Sequence, residues 1–286
     1  MAFLKAAIQS VVSQIHTDFE CLVFNDYPQA NKDVDALLAE FDDERVRFYP
    51  GNERKGANFW RNYGIGIAKG QYIAFLDDDD VWFPNKLNLH KKAHNNTAAA
   101  LVYSDYILTW PLVNKNNRIS NNPLPVGHLL DHIRCGKFSL TTSSSVTLAK
   151  GALINTDPVF DETLPSFQDW DAWFQLVLAN KDFRIYRINE PLVYFTQHDG
   201  DRTSTNLEKR ERALVAVKEK YKKLKIDITG FLNKESLNIF LAKNSDTPKI
   251  VGICKTVFFI IENPSMLFSS YTYRKIARHF IKNMAE

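Results

Sequence analysis

The stretch Ile73-Ala74-Phe75-Leu76 runs straight into Asp77-Asp78-Asp79-Asp80 and then Val81-Trp82. No other part of this sequence limits its fold so strongly. A continuous apolar run from Tyr72 to Leu76 is the pattern of a strand buried on both faces, as in parallel sheets. Four adjacent carboxylates at the end of such a strand repel one another, and burial adds to the cost of ionising them. A cation at that point offsets both effects. In open α/β sheets, ligands bind beyond the carboxyl ends of strands, where this run falls. Carboxylates are hard oxygen ligands suited to Mg2+ or Mn2+. Such an ion also neutralises a diphosphate and helps it depart as a leaving group. The competing reading is a solvated turn with helix-capping Asp residues, and Asp80, ahead of Pro84, suits a cap.

The flanking sequence alternates between helical and strand-like periodicity. Phe3–Ile15 has apolar residues at 3, 4, 7, 8, 11, 12 and 15, which predicts an amphipathic helix. Phe19–Phe24 predicts a strand, broken by Asp26-Tyr27-Pro28. Val34–Phe41 predicts a helix, Val46–Tyr49 a strand, and Ala57–Ala68 a helix ended by Gly70. Pro84 opens the helix after the acidic run, and Ala98–Tyr103 is the next strand. Leu108 to Pro125 is polar and rich in Asn and Pro, the composition of a long loop or hairpin of the kind that often binds ligands. Val146–Leu148, Gln168–Ala179 and Phe183–Ile188 read as strand, helix and strand. The predicted fold class is α/β: a mixed, mainly parallel sheet flanked by helices. From about Asn206 the pattern is helical and rich in Lys and Leu, so the predicted domains are 1–205 and 206–286.

Composition narrows the classes further. The chain has 286 residues, 45% hydrophobic and 24% charged, enough for a sizeable core and against global disorder. Cys21, Cys135 and Cys254 are far apart and form no CxxC pair, against a disulfide framework or zinc site and in favour of a reducing compartment. No basic region followed by an apolar run opens the chain, so a cytoplasmic location is expected. Ile250–Ile261, interrupted by Lys255, is too short to span a bilayer. The net charge of +3 is unevenly spread: residues 206–286 hold sixteen Lys and Arg against eight Asp and Glu. A basic region of this kind meets an anionic membrane surface or a nucleic acid, or is a solvated helical surface.

The segment Arg61-Asn62, Gly64-Ile65, Ala68, Gly70, Tyr72-Ile73, Phe75-Leu76-Asp77-Asp78-Asp79-Asp80, Trp82, Pro84, Lys86-Leu87 resembles glycosyltransferase family 2. These are inverting enzymes with a GT-A fold that use nucleotide-sugar donors. Phe3 to Val11 with Gln14, and Asp18-Phe19-Glu20 with the strand that follows, resemble the family's first helix and second strand. The resemblance covers about residues 3 to 205. It implies that Asp79 is the main metal ligand of the DxD motif, that Asp77 and Asp78 contact the metal shell or the ribose, and that Asp26 reads the nucleotide base. Many members read Asp-Asp-Gly-Ser there, whereas this chain has Asn25-Asp26-Tyr27-Pro28, which leaves one carboxylate of the two. Arg61 is placed on the base or phosphate side, with a structural role as the alternative. The cofactor implied is Mn2+ or Mg2+ and the donor a UDP-sugar. The acceptor is a saccharide or a lipid-linked saccharide, as in bacterial surface polysaccharide synthesis, and no nucleic acid partner is implied.

Leu164 to Phe174, read as Leu-Pro-Ser-Phe-Gln-Asp-Trp-Asp-Ala-Trp-Phe, resembles the family's "ED" motif with Gln168 in place of Glu. Asp169 then matches the catalytic base, which takes the proton of the acceptor hydroxyl as it attacks the anomeric carbon. The alternative is that Asp169 only caps a helix, a role Ser166 also suits. Tyr194 to Gly200 resembles the late-histidine segment of GT-A enzymes, in which His198 completes the metal shell, though a lone His is often structural. Thr141–Ser145 supplies small hydroxyls for sugar contacts or for a strand edge. The family's first strand, before the first helix, is missing here, which leaves neighbouring strands with unpaired backbone groups. A start set too late, a truncated gene, or another segment in the gap each explain this. The rivals to glycosyl transfer are a nucleotidyltransferase, which releases pyrophosphate, and a non-catalytic nucleotide-sugar-binding protein. The basic 206–286 region, with Phe268, Tyr271, Tyr273 and Phe280, suggests peripheral docking on the cytoplasmic membrane face.

Overall fold

The computed structural model describes residues 1–110, 117–120, 123–125, 129–134, 142–153, 156–198 and 206–244, with 255–256, 259–264, 266, 272 and 275–276 beyond them. Cys135, Cys254, Thr141, Phe268, Tyr271, Tyr273 and Phe280 lie outside the described residues. The chain forms two compact units. One comprises Met1–Pro125, Leu140–Thr163 and Gln168–Gly200; the other comprises Val126–Ser139, Leu164–Phe167 and Asp201–Glu286.

The first unit opens with α1 (Ala2–Val12), β1 (Cys21–Asn25), α2 (Asn31–Ala39), β2 (Val46–Pro50), α3 (Ala57–Ile67), β3 (Tyr72–Ala74), β4 (Val81–Trp82) and α4 (Lys86–Thr97). The predicted alternation is present in these segments, with β4 as an addition that the pattern did not predict. Strands β5 (Leu101–Thr109) and β6 (Arg118–Ile119) pair as a hairpin, Ile107 opposite Ile119. Strand β7 (Val146–Ala149), α6 (Gln168–Ala179) and β8 (Ile185–Thr196) complete the unit. In the other unit the described helices are α5 (Leu129–Arg134), α7 (Leu207–Lys223) and α8 (Thr229–Lys243). None of the described helices is long and apolar enough to cross a membrane.

The strands form a two-stranded sheet, β1–β2, and a six-stranded sheet in the order β3-β7-β5-β8-β4, with β6 on β5. The sheet is mixed. Parallel pairing occurs in β1–β2 and β5–β8, and the remaining ladders are antiparallel. An apolar run reports burial on two faces but carries no direction, so the share of parallel pairs was not legible from it. Among the described residues, β1 pairs with β2 alone and β3 with β7 alone.

Helix α1 joins the two sheets through its buried stripe. Ile8 packs with Val23, Val34 and Leu38, and Val11 packs one turn on with Trp82 and Val193. Full burial of each such aliphatic side chain contributes roughly 1.5–3 kcal/mol. Leu101, Val102, Tyr103, Val146 and Leu148 are fully buried at the sheet centre, and Trp173 and Phe174 of α6 are buried with them. Phe160 and Phe75 meet Trp173 at ring-centroid distances of 5.7 and 6.1 Å. This aromatic packing fixes α6, and with it Asp169, relative to the end of β3.

Candidate active site

The acidic run leaves the sheet after β3 and returns to it at β4, so its four carboxylates lie at the strand end where sequence placed them. Asp77, Asp79 and Asp80 each offer an oxygen within 4.8 Å of the others'. The competing reading of Asp80 as a helix cap does not hold, because the N-cap of α4 is Asn85. Asp80 is instead fully buried, and its Oδ1 accepts a hydrogen bond from the Thr196 N–H at 3.0 Å. Its Oδ2 is buried without a hydrogen-bond partner. Burial, and then the charge of Asp77, push the Asp80 carboxyl up to about 8. Asp78 is raised in the same direction, by burial first and then by Asp79 and Asp77. His198, at the end of β8, brings its Nε2 to 3.1 Å from Asp79 Oδ2, and the Phe3 ring stacks on the imidazole at 5.0 Å. Three mutually close carboxylate oxygens with an imidazole beside them form a donor set that fits a divalent ion such as Mg2+ or Mn2+. The orphaned Asp80 Oδ2 is the kind of buried acceptor such an ion satisfies.

Arg61 connects this loop to the second predicted carboxylate. It projects from α3; its Nη2 donates to Asp77 Oδ1 at 2.7 Å and its Nη1 stands 4.0 Å from Asp169 Oδ1. Burial opposes the guanidinium charge, but Asp77 and Asp169 more than offset it, so its proton is held more tightly than usual. Asp169 is the second residue of α6, inside the first turn rather than at the cap position. A carboxylate there is favoured by the helix dipole. Phe167, just before the helix, has φ +60, a left-handed conformation rare for a bulky residue. The Ser143 hydroxyl donates to Asp169 Oδ1 at 2.7 Å. Burial raises the Asp169 carboxyl pKa, against the pull of Arg61, and Asp77 adds to the rise.

The turn that carries Ser143 also touches the acidic loop. Ser144 Oγ accepts the Asp77 N–H at 3.0 Å, and Ser144 O accepts from Trp82 Nε1 at 2.8 Å. Asp26 follows β1, and one oxygen, Oδ1, accepts from Lys55 N, Gly56 N and Trp60 Nε1 at 2.7, 2.9 and 2.9 Å. Its hydrogen bonds therefore go to the start of α3 rather than to the acidic loop. Trp60 and Arg61 are adjacent in α3, so one helix holds both Asp26 and Asp77. Sequence reasoning brought Asp77, Asp79, His198, Arg61 and Asp169 into one region, and the structure does so too. It did not single out Trp60, and it grouped Ser143 and Ser144 only within the Thr141–Ser145 hydroxyl run, because hydroxyl residues in turns are too common for the pattern to assign a partner.

Residues 2–141 match the family model described as glycosyl transferase family 2. This segment is a glycosyl transferase family 2 region. Relatives of known sequence include an uncharacterized glycosyltransferase of Rickettsia bellii, 29% identical over 192 residues, which are 61% of this chain and 25% of the relative. Another is the Escherichia coli UDP-Glc:alpha-D-GlcNAc-diphosphoundecaprenol beta-1,3-glucosyltransferase WfgD, 31% identical over 122 residues, 43% of this chain and 46% of that protein. The chain thus spans a quarter to about half of these relatives. Among solved structures, S. aureus TarS 1-349 in complex with UDP-GlcNAc superposes with a TM-score of 0.58 at 16% identity, covering 86% of this chain and 70% of that one. The Pyrobaculum calidifontis mannosyltransferase PcManGT in complex with GDP-Man and Mn2+ gives 0.57 at 9% identity, covering 98% and 81%. At these identities the likeness establishes the fold, which is GT-A.

Proposed function

We propose that this chain transfers a sugar from a nucleoside-diphosphate sugar, a UDP-sugar, to a saccharide or lipid-linked acceptor with inversion at the anomeric carbon. The observation that carries the reading is the pairing of a divalent-ion donor set, Asp77, Asp79 and Asp80, with a single separate carboxylate, Asp169, bridged to it by Arg61. Inversion by direct displacement needs one base near the acceptor hydroxyl, and Asp169 is a carboxylate held through Oδ1 by the Ser143 hydroxyl. The E. coli relative, named for UDP-Glc and a GlcNAc-diphosphoundecaprenol acceptor, supports the donor and acceptor classes. The Mn2+ bound with GDP-Man in the archaeal neighbour supports a metal of this type.

In this reading Asp79 and His198, with Asp77 and Asp80, hold Mn2+ or Mg2+, which supplies charge neutralisation for the departing diphosphate. Asp78 lies with them towards the ribose. Asp26, held by α3, meets the base, and Arg61 orients the loop from the phosphate side. Asp169 takes the acceptor proton. A lipid-linked acceptor suits a position on the cytoplasmic face of the cell membrane, in surface polysaccharide synthesis, with the basic 206–286 region facing anionic lipid.

A donor screen with Mn2+, scored by nucleotide release, tests this. Nucleoside diphosphate as product supports glycosyl transfer, and pyrophosphate supports a nucleotidyltransferase instead. Asp169→Asn should lower turnover by about 100-fold or more while donor affinity stays within about twofold. Retained turnover in that variant removes Asp169 from the role of base.

A further inference from the structure

The Ser143–Ser145 turn deserves a role of its own, because it touches both halves of the site. Ser143 is fully buried, and its hydroxyl donates to Asp169 Oδ1 at 2.7 Å. The next residue, Ser144, accepts the Asp77 N–H through its side chain and the Trp82 indole N–H through its carbonyl. Trp82 is itself buried, and its own N–H donates to Ser10 Oγ of α1 at 3.1 Å. The Thr142 hydroxyl caps the turn by accepting from Ser144 N, and Ser145 Oγ donates back to Thr142 O at 2.9 Å. Consecutive residues of one rigid turn therefore hold the acidic loop and the α6 carboxylate. A buried hydroxyl proton must find an acceptor, and the one Ser143 has found is a carboxylate, which makes the bond a charge-assisted one.

We infer that Ser143 is the positioning residue for Asp169, fixing Oδ1 so that Oδ2 is the oxygen presented to the acceptor hydroxyl. The inference rests on the reading of Asp169 as base. In the step served, the acceptor O–H proton passes to Asp169 Oδ2 as the acceptor oxygen bonds to the anomeric carbon. The bond from that carbon to the diphosphate oxygen breaks, and its electron pair leaves with the diphosphate. Rotation of the carboxylate about χ2 would turn Oδ2 away from that line, and the Ser143 bond opposes this rotation. The bond also has a sign. The charged groups facing Asp169 are Arg61 from α3 and Asp77 from the acidic loop. Burial and Asp77 favour the protonated form, whereas Arg61 and the Ser143 hydroxyl favour the ionised form that a base requires. Loss of the hydroxyl removes one of the three contributions that keep Asp169 ionised, leaving Arg61 and the Ser143 backbone N–H.

The test compares wild type, Ser143→Ala, Ser143→Thr and Asp169→Asn in the full chain with Mn2+. It reads nucleotide release across about pH 5 to 9, donor affinity by calorimetry, and thermal midpoint. Ser143→Ala should lower kcat by about tenfold to a hundredfold. The acid limb of its kcat/KM profile should move to higher pH, with donor affinity within about twofold of wild type. Ser143→Thr keeps the hydroxyl and should restore most of the rate and the original limb. A purely structural role for Ser143 would lower the thermal midpoint without moving the limb, and that result overturns the inference. So does a wild-type rate and profile in Ser143→Ala. If Asp169→Asn is inactive while Ser143→Ala is unaffected, the base assignment stands and the positioning role alone fails. If Asp169→Asn turns over, both fail. Should Ser143→Ala not fold, Ser143→Cys takes its place as a near-isosteric, weaker donor. It should show a smaller shift in the same direction, and an unmoved limb again rejects the role.

Discussion

Single side chains in this protein carry costs that the site geometry explains and that titration exposes. Asp80 is the clearest. It is fully buried, one oxygen is unpartnered, and its carboxyl is pushed up to about 8. Without an ion it is therefore protonated near neutral pH, and ion binding must displace that proton. Mn2+ affinity should rise about 10- to 100-fold between pH 6 and 8, and Asp80→Asn should flatten that dependence. Calorimetry in buffers of different ionisation enthalpy counts the released proton. Lys86, at the start of α4, is a second case with no role in the site. It is fully buried, its Nζ has no hydrogen-bond partner, and the indole face of Trp82 lies 4.4 Å away. Burial lowers its pKa from 10.5 to about 7. The unfolded chain takes up a proton below about pH 10.5, whereas the folded protein does so only near 7. Stability therefore falls as pH drops through that window and levels off below it. Lys86→Met should stabilise the fold by on the order of 2–4 kcal/mol at pH 7, with the advantage shrinking towards pH 10. Urea melts at pH 7, 8.5 and 10 check the size and the trend.

Among the elements, α3 is the one on which the site depends most, and its glycines show why. Gly64 faces Phe24 of β1 so closely that a Cβ would stand 2.9 Å from the ring. That ring is boxed in by Tyr49, Trp60 and Tyr63 at centroid distances of 5.1, 5.6 and 6.0 Å, so it has little room to yield. Gly64→Ala should cost about 1–3 kcal/mol. It should also weaken donor binding, because Trp60 holds Asp26 and its neighbour Arg61 holds Asp77. Gly66, two residues on, has open space around it. Gly66→Ala should gain about 0.5–1 kcal/mol and leave donor binding alone. The two variants separate close packing from helix propensity within one helix. They also mark the limit of what the sequence disclosed. Periodicity located α3, α1, α4 and α6 within a few residues, and the acidic run and Asp169 stood out by pattern. Nothing in the pattern showed that Gly64 lies under Phe24, because that contact joins residues far apart in the chain. Strand β4 is only two residues long, and β8 extends past Pro191 through a break in register with β5, so each hides from a periodicity of two. The Ser143–Asp169 bond escaped for the same reason as Gly64, since it spans 26 residues.

At the scale of the whole molecule, the distribution of charge matters more than its total. The net charge is +3, but residues 206–286 carry an excess of eight positive charges and residues 1–205 a net of five negative ones. The acidic site belongs to the second group, and a negative catalytic unit by itself is repelled by anionic lipid. Helix α7 holds a dense share of the positive charge in Lys209, Arg210, Arg212, Lys218, Lys220, Lys222 and Lys223. Some of it is already neutralised, as Arg210 pairs with Glu235 at 2.6 Å and Glu211 with Lys243 at 2.6 Å. Lys220, Lys222 and Lys223 lie together in the last turn, where the helix dipole favours cations. Val215 is 65% exposed on the same helix and Leu224 51% exposed just after it. A helical surface with clustered cations and a few exposed aliphatics binds anionic membranes through electrostatics, with a small apolar contribution. The protein should cosediment with vesicles containing about 30% anionic lipid, and much less with neutral vesicles or at about 0.5 M salt, where the Debye length falls to roughly 4 Å. Replacing Lys220, Lys222 and Lys223 together with Gln should reduce binding by about 10- to 100-fold, at roughly 1 kcal/mol for each charge near the surface, without changing nucleotide release from a soluble acceptor. Equal sedimentation with neutral and anionic vesicles would mean that the positive charge of this region serves solubility and packing rather than attachment.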